Sequence, residues 1–184
     1  MAAKKTSPES ETVGSTPPKT KEERLENYSN VVERAELSLV QLVDLTFDVD
    51  PNHFKNDPEN KPVLTVNVEA ENVFFNGESG DGGIFLLCEA GSYLDDKALV
   101  HCKARYLVSY DNLEGCEHEA ATAFLRRVGR FACYPYFRSL FSTLDWSANT
   151  DMPVLPVLKE PVKPKSRRQR ASQITPPSKA SRQG

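Results

Sequence analysis

Between Leu37 and Tyr110 apolar side chains recur at every second position in one segment after another, which commits this part of the chain to a sheet. Successive side chains of a strand point to opposite faces, so a period of two marks a pleated ribbon with one face toward a core. In the first segment Leu37, Leu39, Val43, Leu45, Phe47 and Val49 fall on one face, and Ser38, Asp44, Thr46 and Asp48 on the other. In the second, Leu64, Val66, Val68 and Ala70 oppose Thr65, Asn67, Glu69 and Glu71. Pro62 stands at its entry, where a missing ladder donor does no harm. Ile84 to Ala90 is apolar without interruption, but it is short and follows the Gly-rich run GESGDGG, which favours a strand after a hairpin loop. In the fourth, Ala98, Val100, Cys102, Ala104, Tyr106, Val108 and Tyr110 oppose His101, Lys103, Arg105 and Ser109. Successive strands joined by Gly, Asn and Asp turns predict a four-stranded antiparallel sheet.

After Gly115 the period lengthens. Ala120, Phe124, Val128 and Phe131 or Ala132 recur at three- to four-residue spacing, with Arg126, Arg127 and Arg130 on the other side, which describes an amphipathic helix. Pro135 is expected to end it and to open a second helix running to about Leu144, striped with Phe137, Leu140, Phe141 and Leu144. The expected fold class is α+β, a four-stranded antiparallel sheet with two helices packed on one face. Met152 to Leu158 is apolar but broken by Pro153 and Pro156, so an extended segment is expected there.

The ends differ from the middle. Residues 1–30 are polar, and those up to about Glu26 contain a single Leu; residues 159–184 are basic and Pro-rich. Neither end holds enough apolar area to offset the entropy of ordering it, so both are expected to be disordered, leaving a domain over 31–158. Lys and Arg against Asp and Glu number five to five in Met1–Asn30, ten to twenty in Val31–Leu158 and eight to one in Lys159–Gly184. A domain that acidic does not grip phosphate, since nucleic-acid surfaces carry a basic patch. Only the tail could bind nucleic acid, and it could equally fold back on its own acidic domain. No apolar run reaches the roughly 18 residues of a membrane span, and no charged-then-apolar leader opens the chain, so a cytosolic protein without membrane insertion is expected.

Chemistry has little to stand on. Cys88, Cys102, Cys116 and Cys133 are far apart, with no C-x-x-C pair, and read as buried reduced thiols. His53, His101 and His118 sit in no catalytic constellation. Cys116 and His118 could supply two metal ligands, yet no second pair follows at zinc spacing. The Gly77–Gly83 run lacks the Lys-Ser/Thr and following helix of a phosphate cradle, and Asp95-Asp96 reads as a solvated turn. No enzyme, cofactor or metal is expected. What remains is apolar surplus: Phe74, Phe75, Tyr93, Trp146 and the MPVLPVL segment have no evident burial within one subunit, and exposed apolar patches mark a partner or an oligomer.

Four segments resemble the SecB family of export chaperones, in the same order. LVDLTFDVDPNHF, from Leu42 to Phe54, is similar to that family's first strand and Pro-containing loop; PVLTVNV from Pro62 to its second strand; and VHCKARYLVSY from Val100 to its fourth. YPYFR, Tyr134 to Arg138, resembles the aromatic-Pro-Tyr-x-Arg that opens the family's main helix, and a Pro-containing segment around Met152 follows at similar distance. The resemblance covers about residues 33–158.

It implies an ATP-independent holdase for unfolded or precursor polypeptides, assembled as a homotetramer, a dimer of dimers with helices sandwiched between sheets. By segment match Leu64, Val66 and Val68 occupy client-binding groove positions; the apolar surplus adds Phe141, Leu144, Trp146, Leu155 and Val157. Asp44 and Asp48 match carboxylates of the family's SecA-binding face, whereas Lys103 stands where a third is expected, which weakens docking of the SecA motor. The family's C-terminal helix has no counterpart before the basic tail. SecB-like relatives that serve toxin-antitoxin pairs make such a pair an alternative partner to SecA, and a nucleic-acid-associated adaptor acting through its tail is the reading from another class.

Overall fold

The computed structural model describes residues 20–55 and 63–160. Strands β1 (Glu36–Val49), β2 (Val63–Asn76), β3 (Asp81–Leu94) and β4 (Lys97–Asp111) form one antiparallel sheet in the order β1-β4-β3-β2. The two central strands are the hairpin β3–β4, and β1 and β2 are the two edges. The β3–β4 turn is Asp95-Asp96, both with positive φ (47° and 64°), the conformation that a two-residue hairpin of right-handed twist requires. Asp tolerates it better than bulkier residues do.

The alternation is as the sequence predicts on β2 from Leu64 and on β4 from Val100, whereas a skip at Leu99 turns Ala98 to the other face, opposite Tyr93. Val100, Cys102, Ala104, Tyr106, Val108 and Tyr110 are buried, and Leu64, Val66 and Val68 lie opposite Ser92, Ala90 and Cys88 on the same face. On β1 it is not. The pairing with β4 skips Ser38 and Val43, and each skip turns the strand over. Leu37, Val40, Leu42, Leu45, Phe47 and Val49 therefore lie opposite the buried row of β4, while Leu39 faces the other way, opposite Ser109.

The helical layer also departs from expectation. The predicted pair is one continuous helix, α2 (His118–Ala148), with Pro135 inside it. Pro135 is exposed, so the carbonyl of Phe131 that loses its intrahelical donor is on the side turned to water, and burial of Phe124 and Leu125 before it and of Phe137 and Phe141 after it holds both halves on the sheet. The second helix, α1 (Lys21–Arg34), begins inside the segment 1–30 expected to be disordered, so that expectation fails for residues 21–30. Thr20 caps it in a reciprocal box with Glu23, each side chain bonding the other's backbone N–H, and its apolar contribution is Val31 and the Tyr28 ring against Phe124 of α2. Residues 1–19 and 161–184, on which the other disorder expectations fall, lie outside the described residues. No helix among the described residues is long and apolar enough to cross a membrane.

Candidate polypeptide-binding surface

β1 and β2 end the sheet with backbone edges that no strand among the described residues pairs, and α2 does not cover the sheet evenly. It approaches β3 closely enough that a Cβ on Gly129 would stand 2.7 Å from Cγ2 of Ile84. Over β1 the cover is thin: Leu37, Leu42 and Leu45 are exposed although they face the helical side, and Val40 and Phe47 are half-buried. An apolar strip thus runs along one edge strand. The alternating pattern puts Leu37 and Leu45, but not Leu42, on the core face, and nothing in such a pattern tells how far a helix reaches across a sheet.

Among the described residues, the other face carries no helix. Phe74 lies across Gly83 and against Phe85, with ring centroids 6.4 Å apart, and the Arg105 guanidinium stands 4.7 Å from the Phe85 centroid. Tyr93 meets His101 edge-on on the same face, so part of the apolar surplus is spent locally. Asp44 and Asp48 are exposed here, but the register sets Asp44 opposite Arg105 and Asp48 opposite His101. Arg105 binds Glu71 at 2.6 Å and Lys103 binds Glu89 at 3.5 Å, so cations are interleaved with the carboxylates across the face.

Beyond α2 the chain doubles back as an extended strap, residues 150–160. The Asp145 carboxylate starts it by accepting from Thr150 Oγ1 at 2.6 Å and from the Met152 N–H at 2.9 Å. His53, in the 3-10 turn after β1, donates from Nε2 to the Thr150 carbonyl at 2.6 Å. The 3-10 turn itself is tied to the β4 entry: Asp50 binds Lys97 at 2.6 Å and accepts from Asn52, contacts that hold its carboxyl below the usual carboxylate range. Leu155 is buried, and Tyr134 donates to the Pro156 carbonyl at 2.7 Å.

The residues singled out in the sequence divide into two sets. Phe141 (2% exposed), Leu155 (2%) and Val68 (8%) are held in the core of the subunit. Leu64, Val66 and Leu144 are half-buried at its margin, whereas Trp146 (84%) and Val157 (65%) stand in solvent. The exposed leucines of β1 and Val63 lie outside the client-binding set that the sequence suggests, whereas the exposed Val154 belongs to the MPVLPVL surplus.

No protein-family model matches the chain, and no curated protein matches it in sequence. Among solved structures, it superposes on the Mycobacterium tuberculosis SecB-like chaperone Rv1957, in complex with a ChAD peptide from the Rv1956 HigA1 antitoxin, with a TM-score of 0.62. The fold is SecB-like. The match covers 74% of this chain and 99% of that one, at 17% sequence identity. A SecB-like fold accounts for the order of the four resembling segments. It also places YPYFR: Tyr134 and Phe137 face the core and the strap, while Pro135 and Tyr136 face water.

Proposed function

We propose that this protein is an ATP-independent chaperone that holds unfolded polypeptide segments, assembled as a dimer of dimers in the cytosol. The observation that carries the reading is the SecB-like fold, shared with a chaperone solved with a bound peptide, in a chain that leaves apolar side chains in water beside two open sheet edges. An extended segment can add its backbone to an edge while its apolar side chains leave water at about 25 cal/mol per Å2. Trp146, Val157, Leu64 and Val66 form the client surface in this reading. The β1 strip of Leu37, Leu42 and Leu45 closes a contact between subunits. Phe141, Leu155 and Val68 support the surface from beneath. The interleaved cations around Asp44 and Asp48 favour a dedicated polypeptide partner, such as a toxin-antitoxin pair, over the SecA motor.

Light scattering tests the reading. An aggregation-prone enzyme diluted from denaturant should stay in solution at equimolar chaperone without nucleotide. Trp146→Asp with Val157→Asp should lose that protection with the assembly intact, since both side chains are exposed in the subunit. Leu42→Asp should lower the molar mass in solution. Aggregation that proceeds unchanged beside the wild-type protein would overturn the proposal.

A further inference from the structure

The far end of the strap runs along the solvent side of α2 and frames with it a cavity of about 500 Å3 that is open to solvent. The size lies within the roughly 300–1,000 Å3 of ordinary ligand pockets. Its walls are of two kinds. Ala123, Phe131 and Leu158 give an apolar floor, and Arg126, Arg127 and Arg130 stand around it. Arg127 is already occupied: its Nε and Nη2 grip the two carboxylate oxygens of Glu160 at 2.7 and 3.0 Å, and the Tyr28 ring lies 6.0 Å from the guanidinium. Such a fork on a carboxylate is directional as well as charged. Arg126 and Arg130, one turn apart on the same helix face, have no ion partner among the described residues.

The surroundings sharpen the contrast. Val31–Leu158 carries twenty acidic against ten basic residues, so three arginines within five positions make a basic island on an acidic domain. In the sequence after Glu160, Pro161–Gly184 adds seven Lys and Arg and no Asp or Glu. We propose that this cavity docks an acidic peptide segment of a partner protein, with a carboxylate on Arg126 and Arg130 and a neighbouring apolar side chain on Phe131 and Leu158. Glu160, an extended-chain carboxylate on Arg127, is the internal example of the ligand. A long polyanion such as nucleic acid fits less well: the cavity floor is apolar and the domain around it repels phosphate. The proposal is independent of chaperone activity, which uses other residues.

Fluorescence anisotropy on the full-length assembly, with a labelled decapeptide alternating glutamate and leucine, tests it. This peptide should bind, and one alternating lysine and leucine should not. Arg126→Glu with Arg130→Glu, both on the helix surface, should weaken binding about tenfold or more at low salt. Glu160→Gln, which frees Arg127, should tighten it several-fold. Replacing Arg167, Arg168 and Arg170 with Ser should leave most of the affinity, as should Trp146→Asp. The inference is overturned if both peptides bind alike, if the arginine reversal has no effect on binding, if it lowers the molar mass of the assembly, which would assign this face of α2 to a second copy in the dimer of dimers, if affinity is lost with the tail arginines alone, or if single-stranded DNA binds more tightly than the glutamate peptide.

Discussion

The phenol of Tyr134, midway along α2, donates a 2.7 Å hydrogen bond to the carbonyl of Pro156, 22 positions further on. Tyr134 is buried, and burial raises its hydroxyl above the ordinary phenol range, so the group stays a donor. With Asp145 at the start of the strap and Glu160 on Arg127 at its end, this bond fixes the strap's position along the helix.

Tyr134→Phe keeps the ring and removes the donor, leaving the Pro156 carbonyl without it. The expected cost is about 0.5–1.5 kcal/mol, the net worth of one hydrogen bond, since Pro156 is exposed and its carbonyl can turn to water. Urea denaturation should show a lower midpoint at unchanged slope. A midpoint equal to wild type would mean that the strap is held by Leu155 packing alone.

Gly129→Ala tests how closely helix and sheet meet. Alanine favours a helix over glycine by about 1 kcal/mol, so an open site would be stabilised. Here the added methyl would lie 2.7 Å from Cγ2 of Ile84, a buried, β-branched side chain on a central strand. Overpacking of about 1–3 kcal/mol should win, and thermal unfolding should move down. An upward shift would show that α2 can lift away from β3 without loss.

Pro135→Ala runs the other way. The residue is exposed in mid-helix, and alanine restores the bond to the Phe131 carbonyl. Proline costs a helix interior about 3 kcal/mol, of which roughly 1 is returned because it stiffens the unfolded chain, so a net gain of about 2 kcal/mol is expected. Calorimetry should show a higher Tm; no gain would indicate that the proline is seated in a local distortion that alanine cannot relieve.

The strands were legible where one face is sealed. On β2 and β4 the strict alternation left one solution, because a slip would put a whole apolar row in water. On β1 the bulges at Ser38 and Val43 were invisible, since Leu39 and Val43 are apolar whichever way they point. The single helix through Pro135 was decided by Phe137 and Phe141, whose burial outweighs a local rule. Helix α1 left one readable sign, the Thr20–Glu23 box, while its apolar stripe is too thin to stand out from a polar terminus. For the candidate site, composition separated the apolar surplus from the charges but not Phe141 from Trp146. That difference depends on which side of α2 meets the sheet and the strap.

The thiols and phenols on the sheet's inner face give the fold an alkaline limit. Burial pushes the Cys102 thiol from near 9 up to about 11 and the Tyr110 hydroxyl from 10 up to about 12; Tyr106 is raised further by the same cause, and Cys133 chiefly by its contact with Cys88, Sγ to Sγ 3.8 Å. Each is an acid whose folded value lies above its unfolded one. Between the two values the unfolded chain has lost a proton that the folded chain keeps, so stability falls as pH rises. It is complete below about pH 9 and declines from there, first through the thiols and then through the phenols. Cys102 alone accounts for roughly 2–3 kcal/mol across pH 9–11. Cys102→Ala lowers stability at neutral pH by opening a small cavity, yet it should flatten the decline between pH 9 and 10, where the tyrosines contribute little. Urea midpoints measured from pH 7.5 to 11 check the slope rather than the level. Parallel curves for wild type and Cys102→Ala would show that the thiol ionises without unfolding the sheet.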